Sequence, residues 1–217
     1  AFHATGFHDA FLLGEDTLCF AVGNISGNEG DAAFTTTVLG TSLRAASADA
    51  SSPAEVMLRA KRELCRRNAP WGSITLFLGM LDLRTGEIRY VNRGYTPPLL
   101  VRHPGVGEFL SRGGGMAVGA LATVEFQSGT VRLESADGIV LFSAGVSEAP
   151  AEEGESYAED RLKDVVRRYW PGRLATMVDA VLSDLQTFSG QGTDTTLLAL
   201  RFDGNGGPEG DSRRLEL

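Results

Sequence analysis

The chain has 217 residues, an apolar fraction of 42%, a charged fraction of 22% and a formal net charge of −8. That length suffices for one ordinary globular core. The acidic balance argues against a phosphate-backbone partner, and no apolar run reaches the length of a membrane span.

In chain order, Thr17–Val22 is a short apolar run that ends at Gly23 and predicts a buried strand. Residues 29–47 are rich in Ala, Thr and Leu, lack Pro, and predict a helix. Ser52-Pro53-Ala54-Glu55 predicts a capped helix start. Ser52 can accept from the first turn, Pro53 suits the first helical position, and Glu55 can close a capping box. Val56, Ala60 and Leu64 then follow at helical spacing, so this helix should run to about Arg67.

Ser73–Leu83 predicts a long strand, Arg84–Glu87 a turn, and Ile88–Asn92 the returning strand of an antiparallel hairpin. Further strands are expected near 97–102, 128–134, 138–143 and 194–202, with helices at 158–168 and 172–188. Leu174, Met177, Val181 and Leu185 share one face of the last helix. Residues 1–203 are expected to form one domain. Residues 204–217, rich in Gly, Asp, Glu and Arg, are expected to be a disordered tail. Hairpins and paired helices without regular βαβ alternation indicate antiparallel sheets with helices outside.

Cys19 and Cys65 lack ligand-like spacing and are expected to be two buried free thiols. Free thiols, and the lack of a basic-then-apolar leader, fit a cytoplasmic protein. The first residue is Ala1 rather than Met, which suggests a domain of a longer chain.

The order of motifs resembles the SpoIIE-like branch of the PPM-type, metal-dependent Ser/Thr protein phosphatases. The resemblance covers roughly residues 4–202 and is strongest in Thr75–Asn92 and in Gly94-Tyr95-Thr96-Pro97-Pro98, which resembles Ala-Gly-His-x-Pro-Pro. It implies an α+β fold, an αββα sandwich of two antiparallel sheets flanked by helices. It also implies hydrolysis of phosphoserine or phosphothreonine by water bridging two Mn²⁺ or Mg²⁺ ions, held by Asp residues from four motifs.

Each motif departs from that pattern. Ala4-Thr5-Gly6-Phe7-His8-Asp9 resembles Gly-Gly-Asp-x-Tyr-Asp, with Gly6 where the metal Asp falls and Asp9 retained. Gly23-Asn24-Ile25-Ser26-Gly27-Asn28 resembles Gly-Asp-Val-Ser-Gly-His, with Asn24 and Asn28 replacing the Asp and the His. Ser143-Ala144-Gly145-Val146-Ser147-Glu148 resembles Thr-Asp-Gly-Val-Thr-Glu, with Ala144 at the Asp. Thr193-Asp194-Thr195-Thr196 resembles Asp-Asp-Ile-Thr, with Thr193 at the leading Asp and Asp194 retained.

Gly6, Asn24, Ala144 and Thr193 are therefore the expected former metal positions, read as two loops around Gly23–Gly27 and Phe142–Glu148. Asp9 and Asp194 are the expected residual acids of the cleft. No catalytic residue, metal or other cofactor is expected. The reading is a pseudophosphatase, a regulatory domain that binds a protein regulator or a neighbouring domain of a longer chain; a homodimer is compatible with it. The alternative is an active phosphatase on a signalling regulator such as an anti-sigma antagonist, with Mn²⁺ or Mg²⁺ on relocated ligands among Asp9, Glu29, Asp31, Glu148 and Asp194.

Plainer readings apply elsewhere. Ser26 lacks an identifiable base and reads as a loop hydroxyl. His3, His8 and Asp9 match no metal spacing. Gly113–Gly115 reads as a turn, and Glu152, Glu153 and Glu155 as a solvated acidic loop.

Overall fold

A computed structural model of the protein describes residues 3–27, 29–66, 73–110, 128–149, 157, 159–189, 195–204 and 215–216. The expected turn at Gly113–Gly115, the acidic loop at Glu152–Glu155, and Thr193 and Asp194 all lie outside the described residues. The chain divides into two compact units that interleave along the sequence. The first comprises Ala1–Leu83, Glu87–Tyr95 and Arg112–Arg132. The second comprises Arg84–Gly86, Thr96–Ser111 and Leu133–Leu217. Each carries one antiparallel sheet with helices packed on it, so the fold class is the expected one: two antiparallel sheets flanked by helices.

In the first unit the strands are β1 (His3–Leu13), β2 (Thr17–Gly27), β3 (Ser73–Asp82), β4 (Glu87–Arg93) and β7 (Gly129–Arg132), in that spatial order. Helices α1 (Glu29–Ser47) and α2 (Pro53–Arg66) cover one face. The side chains on that face alternate as a pleat demands. Phe7 of β1, Cys19, Ala21 and Ile25 of β2, and Ile74, Leu76, Leu78 and Met80 of β3 form one core with Leu39, Leu43, Val56 and Leu64 of the helices.

Two strand glycines are required by space. A Cβ on Gly79 would stand 2.4 Å from the ring of Phe20, its partner across β2 and β3. One on Gly129 would stand 2.3 Å from the ring of Tyr90, its partner across β4 and β7. Each aromatic ring lies over the gap that a missing side chain leaves.

The start of α2 bears out the predicted cap, with one change. Ser52 Oγ accepts from the Glu55 N–H at 3.3 Å, and the Glu55 carboxylate reaches back one residue further, to the N–H and hydroxyl of Ser51 at 2.9 and 3.0 Å. These bonds hold the Glu55 carboxyl below its ordinary range. Ser52→Ala is expected to cost about 1 kcal/mol, read as a lower midpoint in urea unfolding.

In the second unit the order is β10 (Leu215–Glu216), β9 (Leu197–Phe202), β8 (Asp137–Phe142), β5 (Leu99–Arg102) and β6 (Val106–Phe109). Its helices are α3 (Ala144–Ser147), α4 (Glu159–Tyr169) and α5 (Leu174–Ser189). Leu162 and Val166 of α4 and Leu174, Met177, Val181 and Leu185 of α5 pack on Val140, Phe142 and Ala199. The shared face foreseen for the last helix is thus its buried face. Arg161 joins the two helices through both oxygens of Asp184, at 2.7 and 2.9 Å, and the buried Tyr157 hydroxyl donates to the same carboxylate at 2.8 Å.

Several expectations need correction. β1, β6 and α3 were not foreseen. Leu215–Glu216, inside the expected disordered tail, pairs as a strand with Phe202 and Arg201; residues 205–214 lie outside the described residues. Cys19 is buried and its thiol is pushed up to about 11, chiefly by burial, but Cys65 is exposed. Cys65 follows Leu64, the last inward position of α2, and so falls on the outer face of the helix.

Candidate functional site

The first two motifs meet within one sheet. β1 and β2 pair without interruption from His3–Gly27 to Leu13–Thr17, and Gly6 stands directly opposite Asn24. Cross-strand partners share a sheet face. For this pair it is the face away from α1 and α2, because Phe7, Gly23 and Ile25 alternate with them and Phe7 and Ile25 belong to the helix-side core. The expected loop around Gly23–Gly27 is therefore strand: β2 continues to Gly27, held by β1 on one side and by β3, through Ser26–Ser73, on the other. Ser26 is a half-buried strand residue.

Asp9 does not stand with Gly6 and Asn24. Three residues along a strand is an odd number, so Asp9 points to the other face, towards α1. There Arg44 grips it with both arms of the guanidinium: Nε donates to Oδ2 at 2.9 Å and Nη2 to Oδ1. The same guanidinium lies 4.4 Å above the Phe11 ring. Asp9 is thus a clamp between β1 and the last turn of α1, on the sheet face opposite Gly6 and Asn24. Arg44 was missed because nothing in the local pattern of α1 distinguishes it from an ordinary cation at a helix C-terminus. His8, one residue from Asp9, lies on the opposite face and is exposed. Among the described residues, no group of three or more His, Cys, Asp or Glu side chains is placed to hold a metal ion.

The third and fourth motifs also meet, in the second unit. β8 ends at Phe142, and Ser143 takes the position before α3, whose first residue is Ala144. The expected loop is thus a strand end followed by a single helical turn. Ser143 N–H donates to the Thr196 carbonyl at 2.9 Å, and Thr196 N–H donates to Ser143 Oγ at 3.0 Å. This two-way bond fixes the entry to α3 beside the entry to β9. Glu148 ends the turn, its N–H bonded to the Ala144 carbonyl.

The Gly94–Pro98 segment begins with a tight turn in the first unit. Asn92 Oδ1 accepts from the Tyr95 N–H at 3.0 Å, Asn92 Nδ2 donates to the Tyr95 carbonyl at 3.1 Å, and Gly94 supplies a φ of 68°. Tyr95, where the resemblance places His, is buried, and its hydroxyl finds no hydrogen-bond partner among the described residues. Burial drives its pKa up. Tyr95→Phe removes an uncompensated buried hydroxyl and is expected to leave stability unchanged or raise it by up to about 1 kcal/mol; a calorimetric melt checks this.

The fold is that of the PP2C-type phosphatase domains. The sequence profile of Stage II sporulation protein E (SpoIIE) matches residues 14–203, and the chain belongs to that family. The crystal structure of the RsbU and RsbW domains of Rv1364c from Mycobacterium tuberculosis superimposes with a TM-score of 0.77 at 26% identity, covering 92% of this chain and 56% of that one. The SiaA-PP2C domain of Pseudomonas aeruginosa gives 0.77 at 18% identity, covering 94% and 84%. Among curated relatives, protein IcfG of Synechocystis sp. (strain ATCC 27184 / PCC 6803 / Kazusa) is 23% identical over 188 residues, covering 74% of this chain and 29% of IcfG. The chain therefore spans less than a third of IcfG and just over half of the Rv1364c structure. No helix among the described residues is long and apolar enough to cross a membrane.

Proposed function

We propose that this domain is a pseudophosphatase: a phosphatase scaffold that has lost its metal centre and serves bacterial signalling by binding a protein regulator or a neighbouring domain. The observation that carries this reading is the pairing of Gly6 with Asn24 on the sheet face away from the helices. Two of the four positions that the family resemblance assigns to metal-binding Asp stand together there, one without a side chain and the other with a neutral amide. Mn²⁺ and Mg²⁺ need hard and preferably anionic oxygen ligands. These residues do not fit a pair of divalent ions. Asp9 offers no compensation, since it faces α1 and is bound by Arg44. Ala144 contributes a methyl group where a third carboxylate is expected.

A partner-binding role draws support from the relatives, of which this chain matches only a part. Loss of acids from such a site also lowers the desolvation cost of covering it with protein. Turnover of a serine phosphopeptide and of p-nitrophenyl phosphate, with and without excess Mn²⁺, tests the reading. The expected rate is indistinguishable from buffer. Metal-dependent turnover that co-purifies with the folded chain and disappears in the Asp9→Ala, Asp194→Ala double variant would establish the alternative, an active phosphatase with relocated ligands.

A further inference from the structure

We propose that the last turn of α4 and the connection to α5 that follows it form a docking surface for an acidic, partly apolar segment of another protein, contacted by Arg167, Arg168, Tyr169 and Arg173. None of these residues belongs to the four motifs, so the inference is independent of whether the domain retains catalysis. The chain carries 28 Asp and Glu against 20 Lys and Arg, yet no acid stands between Asp164 and Asp179, a stretch that holds three arginines. In an acidic protein, a local excess of positive charge makes a field that an anionic partner complements.

The backbone that displays these side chains is held fast, which supplies the second, independent observation. Trp170 is fully buried and anchors the connection: its indole N–H donates to the Ala136 carbonyl at 2.9 Å, and its backbone N–H to the Val166 carbonyl at 2.8 Å. Gly172 N–H donates to the Tyr169 carbonyl at 3.0 Å, and Arg201 Nη1 donates to the Trp170 and Gly172 carbonyls at 3.1 and 2.6 Å. A Cβ on Gly105 would stand 2.9 Å from the Arg167 carbonyl, so the turn between β5 and β6 packs against the end of α4. Around this anchored frame Arg167, Arg168, Tyr169 and Arg173 are all exposed. A surface ordered in advance loses little entropy when a partner binds.

The fold itself does not use these charges. A cation at a helix C-terminus offsets the negative end of the helix dipole, but Arg201 already fills that place through the two carbonyls. Arg167 lies 3.0 Å from Asp164, with the two side chains 67% and 71% exposed, and a pair so placed exchanges for another partner at little cost. Among the described residues, Arg168 and Arg173 stand in no ion pair. Chemistry selects the occupant. Arg and Tyr are the residues enriched where proteins meet, and Tyr169 adds an apolar ring between the cations. The net charge of −8 opposes a long polyanion such as a nucleic acid, so a short acidic protein segment with apolar residues fits best.

Fluorescence anisotropy of a labelled peptide of Glu, Leu and Ala, titrated with the 217-residue chain, tests this; a peptide of Lys, Leu and Ala is the control of opposite charge. The expected result is saturable binding of the acidic peptide with a dissociation constant below about 1 mM, weakened by added salt, and no binding of the basic one. Arg168→Gln, Arg173→Gln removes both unpaired charges from exposed positions. This double variant should raise the dissociation constant at least about tenfold while leaving the melting temperature within about 2 °C. Arg62→Gln, which removes an exposed cation from α2, should leave it unchanged. Absence of saturation by roughly 1 mM overturns the proposal. So does affinity that the double variant leaves intact or that Arg62→Gln lowers as much. A DNA duplex that binds as tightly as the acidic peptide overturns it too, by marking a general polyanion surface.

Discussion

If the proposed reading holds, acids placed at Gly6 and Asn24 are expected to make the stability of the domain depend on Mn²⁺. The parent chain should show no shift of its melting temperature with Mn²⁺ or with chelator, and no saturable heat in the micromolar range on titration. In the double variant Gly6→Asp, Asn24→Asp, two carboxylates stand directly opposite each other on neighbouring strands. Like charges in that arrangement repel, so the variant without metal should melt below the parent. A divalent ion that binds only the native state reverses this by mass action, by about 2.7 kcal/mol at one hundred times its dissociation constant. That amounts to several degrees for a domain of this size. Differential scanning calorimetry of parent and variant, each with Mn²⁺ and with EDTA, provides the four numbers needed. A parent that loses several degrees in EDTA would refute the loss of the metal centre. A double variant that ignores Mn²⁺ would show that acids at these two positions, without partners at Ala144 and Thr193, do not hold the ion.

Asp137→Ala is expected to cost about 3 kcal/mol, the largest single loss of stability foreseen in the second unit. Asp137 begins β8 and is nearly fully buried. Its carboxylate accepts from Arg102 Nη1 at 2.7 Å, from the His103 N–H at 2.9 Å and from the Glu134 N–H at 3.0 Å. Truncation strands two backbone donors that no rotamer change can re-satisfy, whereas Arg102 is exposed enough to regain water. Asp137→Asn keeps one acceptor oxygen and should cost about half as much.

The pH dependence has a definite sign. Burial of Asp137 favours its neutral form, but the Glu134 N–H, the Arg102 guanidinium and the His103 N–H together outweigh burial and hold the carboxyl below its ordinary value. Asp184 is lowered as well, first by the hydrogen bonds from Arg161. A carboxyl lowered in the folded state contributes stability that is complete above its unfolded value, about 3.9. That contribution is lost as the pH falls through the folded value. The parent should therefore lose stability below about pH 4, and Asp137→Ala should flatten that acid limb while being less stable at neutrality. Urea unfolding of both proteins at pH 3.5 and pH 7 measures the difference.

Much of the architecture was legible locally. The helical spacing of Val56, Ala60 and Leu64, the cap at Ser52 and the hairpin about Gly86 each depend on a period or a turn chemistry contained in a few neighbouring residues. The same holds for α1, although Thr residues blur its stripe. Thr36 and Thr41 satisfy their hydroxyls on carbonyls one turn back and so remain compatible with a helix. The motif order was equally legible, and it identified the family before any tertiary contact was known.

What the sequence could not decide was which side of a strand each motif residue occupies. β1 mixes His, Thr, Gly and Asp with apolar residues, so it lacks the alternation that announces a strand. Its pleat is imposed by eleven consecutive pairs with β2. Only that pairing sets Gly6 opposite Asn24 and turns Asp9 away, because strand parity separates residues three apart onto opposite faces. The Asp9–Arg44 clamp spans 35 positions and carries no local signal. α3 is four residues long, too short for a helical period, and is fixed instead by the two bonds between Ser143 and Thr196. Composition, periodicity and motif order therefore determined the elements and the family. Pairing register and long-range ion pairs, which depend on residues far apart in the chain, decided which acids share a sheet face with Gly6 and Asn24.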